Sequence, residues 1–223
     1  MDAFATIQHL RNKGLTYCGR PGKLETLNRL VVRVEERAVP GIFVETGVAM
    51  GGSACIIAKA KRADRELRLY DVFEMLPPPS ERDGEKSMQV YEYFRSGRVQ
   101  GVVDANYVAH SRDLLSFTRQ NMRDVGIDPE AAHITFVKGL YENTLNIEEP
   151  IAFAHIDCDW YDSVLICIER IADKMSPNGV MLFDDYNSFD GCRRAVDAWL
   201  KSDQRFKIIH SDWTLAVERI ADA

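Results

Sequence analysis

The residues best suited to chemistry are aspartates placed at the ends of apolar runs. Ile151-Ala152-Phe153-Ala154-His155-Ile156 reads as a buried strand that ends in Asp157-Cys158-Asp159-Trp160-Tyr161. Val180-Met181-Leu182-Phe183 reads as another and ends in Asp184-Asp185-Tyr186. In a parallel sheet both ends emerge at one edge, so three or four carboxylates converge on one crevice. Unpaired, they would repel and raise one another's pKa values, and a divalent cation is the simplest relief. All-oxygen ligation points to Mg²⁺, with Mn²⁺ or Ca²⁺ able to stand in; the lack of a nearby Cys or His cluster argues against zinc. Asp157, Asp184 and Asp185 are the expected ligands. Asp159 either joins the chemistry or caps the helix that starts near Trp160.

A second constellation lies nearer the N-terminus, in Glu45-Thr46-Gly47-Val48-Ala49-Met50-Gly51-Gly52-Ser53. The glycines let backbone turn tightly and approach a ligand. A phosphate-binding P-loop would need Lys after its last Gly, and here Gly52 is followed by Ser53. A dinucleotide loop needs Gly at position 49, which is Ala. The remaining pattern, Glu45-x-Gly47-x-x-x-Gly51, suits the amino-acid end of S-adenosylmethionine, with the acid facing its ammonium. Thr46, Gly52 and Ser53 complete the expected cofactor loop. Asp71, ending the next apolar run, is placed to accept from two ribose hydroxyls. The competing reading makes Glu45 and Asp71 solvated strand ends.

These residues need a scaffold, and the periodicity supplies one. Leu24, Leu27, Leu30, Val31 and Val34 mark an amphipathic helix over 24–39, stopped by Pro40-Gly41. Strands are predicted at 42–44, 67–70, 133–137, 151–156 and 179–183, and helices at 53–61, 112–125, 161–175 and 192–200. Alternation of this kind implies a parallel, doubly wound α/β sheet. Two tail strands, 206–210 and 214–217, are joined too closely for a parallel crossover, so the last must run antiparallel. The expectation is a Rossmann-like, mostly parallel seven-stranded sheet in one domain over 1–223, an arrangement that class I methyltransferases share. Residues 1–40 form a helical cap, and 73–110, with Pro77-Pro78-Pro79 and a helix over 86–98, form a lid insertion.

Bulk properties narrow the partners. With 223 residues, 46% hydrophobic and 28% charged, the chain can bury a sizeable core and has no run long enough to span a membrane. A net charge of −6 disfavours tracking along nucleic acid and favours a small hydroxylated acceptor. The five cysteines, Cys18, Cys55, Cys158, Cys167 and Cys192, contain no Cys-x-x-Cys and read as reduced core thiols. The start lacks a secretory pattern, so a cytosolic location is expected. The N-terminal helices and the insertion offer surfaces on which a second copy could pack.

Taken together, several segments resemble the macrocin O-methyltransferase family of antibiotic-sugar methyltransferases. They are Val44 to Val48 with Gly51-Gly52-Ser53, Tyr70-Asp71-Val72-Phe73-Glu74, Val137-Lys138-Gly139 with Asn143-Thr144-Leu145, and Asp157-x-Asp159-x-Tyr161-Asp162-Ser163. Ser176-Pro177-Asn178-Gly179, Asp184-Asp185-Tyr186 and Cys192-Arg193-Arg194-Ala195-Val196 continue the likeness. Met75 stands where the family usually has Gly, and Asn178 replaces the first Gly of a pair. The resemblance implies S-adenosylmethionine as methyl donor and Mg²⁺ on Asp157 and the Asp184-Asp185 pair, with Asp159 as the candidate base. The chemistry agrees: an alcohol is a poor nucleophile, so a metal chelated by a vicinal diol or catechol would both activate and align it. His155 is a rival base that reads better as a core histidine. Trp160 and Tyr186 either line the acceptor pocket or pack. Two other functions compete: a glycosyltransferase using Asp-x-Asp with Mn²⁺, and a non-catalytic S-adenosylmethionine-binding protein.

Overall fold

The computed structural model describes residues 3–16, 22–96 and 113–221. Its helices are α1 (Ala3–Asn12), α2 (Lys23–Glu36), α3 (Gly52–Ala60), α4 (Glu85–Arg95), α5 (Leu114–Asp124), α6 (Tyr141–Thr144), α7 (Tyr161–Ile171) and α8 (Asp190–Ser202). Its strands are β1 (Ile42–Thr46), β2 (Leu67–Asp71), β3 (Ile134–Lys138), β4 (Ile151–Ile156), β5 (Met175–Phe183), β6 (Phe206–Ser211) and β7 (Leu215–Arg219). All seven form one sheet in the order β3-β2-β1-β4-β5-β7-β6. β1 to β5 pair in parallel, and β7 runs antiparallel between β5 and β6. The seven-stranded, doubly wound architecture expected from the alternation is therefore the observed one.

Every residue of β1 and β4 is buried, as a strand covered on both faces requires. Successive side chains serve opposite cores. Phe43, Phe153 and Leu182 join the apolar stripe of α2 (Leu24, Leu27, Leu30, Val31, Val34) and the buried side of α3 on one face. Val44, Ala154 and Phe183 join α7 and α8 on the other. Each fully buried Phe or Leu contributes about 1.5–3 kcal/mol by leaving water, so both layers hold the central strands firmly. The chain reaches β3 at one edge and then returns to β4 beside β1. The loops after β1 and β4 consequently part company there, opening a crevice at the carboxyl ends of the strands.

Several boundaries differ from those read in the sequence. β1 continues through Thr46, which pairs with both Tyr70 and Ile156, so Glu45 lies inside the strand. β5 begins at Met175 because a register shift against β4 absorbs Ser176 to Gly179, with Asn178 at φ 64°. α7 stops at Ile171, and the chain tightens into a 3₁₀ turn, Ala172–Lys174, before β5. The insertion holds α4, while residues 97–112, including the rest of the proposed lid, lie outside the described residues, as does Cys18. Cys55, Cys158, Cys167 and Cys192 are free and buried. Among the described residues, no helix is long and apolar enough to cross a membrane.

Candidate active site

The crevice is a cavity of about 750 Å³. Its floor is the loop leaving β1. Gly47 holds φ 85°, and a Cβ there would lie 1.7 Å from the Asp157 carbonyl oxygen, so only glycine lets the β1 and β4 loops touch. Gly52 opens α3 against the chain at Leu15, whose carbonyl a Cβ would meet at 2.3 Å. Asp71 fixes the loop from β2: its Oδ2 accepts from the Val48 and Ala49 amides at 2.7 and 2.9 Å, and its Oδ1 from Phe73 N at 2.6 Å. Burial pushes the Asp71 pKa up, against the pull of those three amides. From α5, Thr118 Oγ1 donates to the Ala49 carbonyl at 2.7 Å, and Asn121 Nδ2 to the Met50 carbonyl at 3.1 Å.

Of the residues expected at a cofactor, Gly47, Gly52, Ser53 and Asp71 line the cavity. Gly51, at φ 87°, is instead the residue from which α3 starts. Glu45 and Thr46 are both fully buried in β1. Glu45 turns its carboxylate to His155, with Oε1 and Nδ1 2.8 Å apart. Among the described residues, Glu45 Oε2 and Thr46 Oγ1 have no hydrogen-bond partner.

Asp157, Asp184 and Asp185 each offer a carboxylate oxygen, and the three atoms lie within 4.8 Å of one another. Asp159 also faces the cavity, in the left-handed region at φ 58°. Burial raises the pKa of Asp157 well above the carboxylate range, and the neighbouring Asp184 and Asp185 add to it. Asp159 is raised in the same way, by burial and then by Asp185. Asp185 is raised by burial and by Asp184. Asp184 alone is lowered: burial opposes its ionisation, but His155 and Lys23 outweigh burial.

Those two cations were not read as part of the cluster. Lys23, the first residue of α2, is only 7% exposed and sets its Nζ 2.6 Å from Asp184 Oδ2 and 3.8 Å from Asp185 Oδ1. Burial would lower its pKa, yet Asp184, Asp185 and Asp157 together raise it. His155 Nε2 stands 3.7 Å from Asp184 Oδ1, an ion-pair rather than a hydrogen-bond separation. Burial pulls His155 down, but the carboxylates of Asp184 and Glu45 on either side push it up to about 9. The histidine is thus a buried partner of two acids, close to its core reading. Among the described residues, five carboxyl groups face two cationic ones, and the buried Asp185 Oδ2 has no hydrogen-bond partner. A divalent ion ligated by oxygen fits that donor set and that excess of negative charge.

The sequence model describing macrocin-O-methyltransferase (TylF) matches residues 8–217, nearly the whole chain. The chain belongs to the macrocin-O-methyltransferase family. A relative from Streptomyces olivaceus, 8-demethyl-8-(2,3-dimethoxy-alpha-L-rhamnosyl)-tetracenomycin-C 4'-O-methyltransferase, is 29% identical over 180 residues, covering 78% of this chain and 63% of that protein. The chain thus spans less than two thirds of that relative's length. Demethyldecarbamoylnovobiocin O-methyltransferase of Streptomyces niveus is 27% identical over 203 residues, covering 88% of this chain and 70% of its own. The solved O-methyltransferase NovP superposes with a TM-score of 0.73 at 25% identity, covering 96% of this chain and 88% of that one.

In this family member the far half of the cavity is roofed by the insertion, where Met75, Leu76, Pro77 and Pro78 face Trp160 and Phe189. The two rings meet edge to face at 5.3 Å, and Trp160 Nε1 donates to the Pro77 carbonyl at 3.0 Å. Trp160 therefore lines the pocket, whereas Tyr186 lies away from it with its hydroxyl 2.7 Å from Asp197 Oδ1. Lys23, Thr118, Asn121 and the Pro77 contact carry no local sequence signal, since each depends on an element far along the chain.

Proposed function

We propose that this chain is an S-adenosylmethionine-dependent O-methyltransferase that acts on one hydroxyl of a vicinal diol, a sugar of a natural product, with Mg²⁺ on Asp157, Asp184 and Asp185. The observation that carries the proposal is that the glycine loop and the aspartate trio open into one cavity, joined where Gly47 meets the Asp157 carbonyl. The loop backbone from Gly47 to Ser53 binds the methionine end of the cofactor, and Asp71 borders its ribose while holding the loop. A divalent ion on the trio would acidify a chelated hydroxyl and fix its orientation. Asp159 faces the same space and is placed to take the departing proton. The apolar roof excludes water from the transfer. The two relatives methylate oxygens of natural products, by their names, which favours methyl over glycosyl transfer. The acidic net charge, with four buried free thiols, agrees with a small acceptor and a cytosolic setting.

Calorimetric titration with S-adenosylmethionine and Mg²⁺, followed by mass spectrometry of diols from methyl rhamnoside to catechol, tests this reading. The expected result is binding of both and a singly methylated product. Binding of nucleotide sugars without S-adenosylmethionine would sink it. Tight cofactor binding with no product from any diol would leave a binding protein instead. For the metal, Asp184→Asn should keep cofactor affinity and lose Mn²⁺ binding; full activity of that variant in EDTA would remove the metal.

A further inference from the structure

Asp83 sits in an exposed stretch, with Glu81, Arg82, Gly84 and Glu85 all open to solvent, yet it is itself only 3% exposed. A carboxylate is buried at such a place only if its oxygens find donors. Oδ1 accepts from the Tyr161 amide at 2.6 Å, and Oδ2 from Ser80 N at 2.9 Å and Ser80 Oγ at 3.3 Å. Its carbonyl accepts from Ser87 Oγ at 3.2 Å, tying in α4. Tyr161 is the first residue of α7, and the preceding Trp160 supplies no side-chain cap. The cap comes instead from 78 residues away, and its negative charge suits a helix N-terminus. Room for it is kept by Gly191 at the start of α8, where a Cβ would lie 2.1 Å from Asp83 Oδ1.

The segment fastened in this way is the roof. Its other end is held by the bond from Trp160 to Pro77, so two adjacent residues, Trp160 and Tyr161, take one strap each from the insertion. Asp159 stands immediately before them in a left-handed conformation that a non-glycine residue keeps only when its surroundings hold it. We propose that Asp83 is the positioning residue that ties the roof of the acceptor half of the cavity to the loop carrying Asp159, so that roof and base are set together. Naming Asp159 as base and this half as the acceptor's rests on the function proposed above; the strap itself does not.

Hydrogen exchange read by mass spectrometry on the full chain, beside titration with S-adenosylhomocysteine, tests the assignment in Asp83→Ala and Asp83→Asn. In Asp83→Ala, exchange in 73–84 and 158–163 should rise about tenfold, equivalent to ~1.4 kcal/mol. β4, β5 and cofactor affinity should stay as in the wild type. Asp83→Asn, whose amide oxygen still accepts from Tyr161, should recover 158–163 more than 73–84. With the diol that the wild type methylates fastest, Asp83→Ala should raise the acceptor KM and leave the S-adenosylmethionine KM alone. Unchanged exchange at 158–163 overturns the proposal. So does a rise spread over the central strands together with weaker cofactor binding, which would make Asp83 a general stabiliser. Should Asp83→Ala fail to fold, Asp83→Asn decides: a rise in 73–84 that exceeds any rise in 158–163, with the central strands unchanged, supports the strap, and a uniform rise or none refutes it. Wild-type binding of S-adenosylhomocysteine stands or falls separately, so failure of the strap cannot be confused with failure of the methyltransferase reading.

Discussion

Replacing Lys23 by Met removes the ammonium that now neutralises the aspartate cluster while keeping most of the side-chain volume. Lys23 occupies the first position of α2, where the helix dipole disfavours a cation, and it is nearly buried. Both costs are offset by its 2.6 Å contact with Asp184. Breaking one side of a buried ion pair costs about 3–5 kcal/mol. The lower end applies here, since Asp184 keeps His155 on its other oxygen and has a side chain 15% exposed. About 3 kcal/mol corresponds to a melting temperature lower by roughly 6–12 °C for a chain of this size. That loss should appear in EDTA. With Mg²⁺ present it should narrow, because the metal supplies the missing charge to the same oxygens. In the wild type the ammonium competes for Asp184, so Lys23→Met should also bind Mg²⁺ about tenfold more tightly, or ~1.4 kcal/mol. Thermal melts with and without Mg²⁺, and calorimetry with Mg²⁺ and Mn²⁺, measure both effects. A variant as stable as the wild type in EDTA, or one that binds metal more weakly, would refute the reasoning.

Gly47→Ala forces a side chain into a φ of 85° and against the Asp157 carbonyl; the conformation alone costs ~1–2 kcal/mol. S-adenosylhomocysteine affinity should fall at least about tenfold, and unchanged affinity by calorimetry would contradict the proposed cofactor loop. Glu218 is buried among Arg33, Arg37 and Lys207. Burial alone would raise its pKa, but Lys207 and Arg33 lower it overall. The stabilisation is therefore present above the unfolded value near 4.5 and is lost as pH falls through the lower folded value. Since its partners are partly exposed and screened, Glu218→Gln should cost about 1–2 kcal/mol at neutral pH. Urea melts should show the gap closing as pH falls below 4.5; a constant gap rules out the linkage. Glu45→Gln should lower the His155 pKa from about 9. The raised folded value means that the charge contribution is fully present below the unfolded 6.5 and is lost as pH rises through about 9. Histidine titration by NMR on the metal-free protein checks this, and an unmoved pKa would detach Glu45 from His155.

The scaffold was legible because its signals are local. Apolar runs such as Ile151 to Ile156, bounded by acids, mark strands at the right places, and the short link before Leu215 forces the antiparallel end. The aspartates were legible for the same reason: a strand end and its next residue leave little freedom. Glu45 shows the limit. Reading β1 as ending at Val44 made Glu45 a mouth residue, but Thr46 still pairs with both neighbouring strands. Because side chains alternate and a strand's length decides which ones remain between its neighbours, two more paired residues enclosed the Glu45 carboxylate beside His155. No composition or spacing within nine residues of loop reveals where a strand stops pairing.

The partners of the aspartates were hidden for a different physical reason. Acids collect at one edge of the sheet because parallel strands all end there, so their clustering follows from topology once the strands are known. Counter-charges obey no such rule. Lys23 arrives from the start of a helix 161 positions before Asp184, and Asp83 from an insertion 78 positions before Tyr161. Neither belongs to a motif, and each looks like an ordinary surface charge in sequence. Yet His155 and Lys23 together pull Asp184 below the usual carboxylate range, while burial and the neighbouring carboxylates hold Asp157, Asp159 and Asp185 above it. The motif thus determines which ligands a cation would find, whereas the helices and the insertion around it determine how strongly that cation is required and how the base beside it is held.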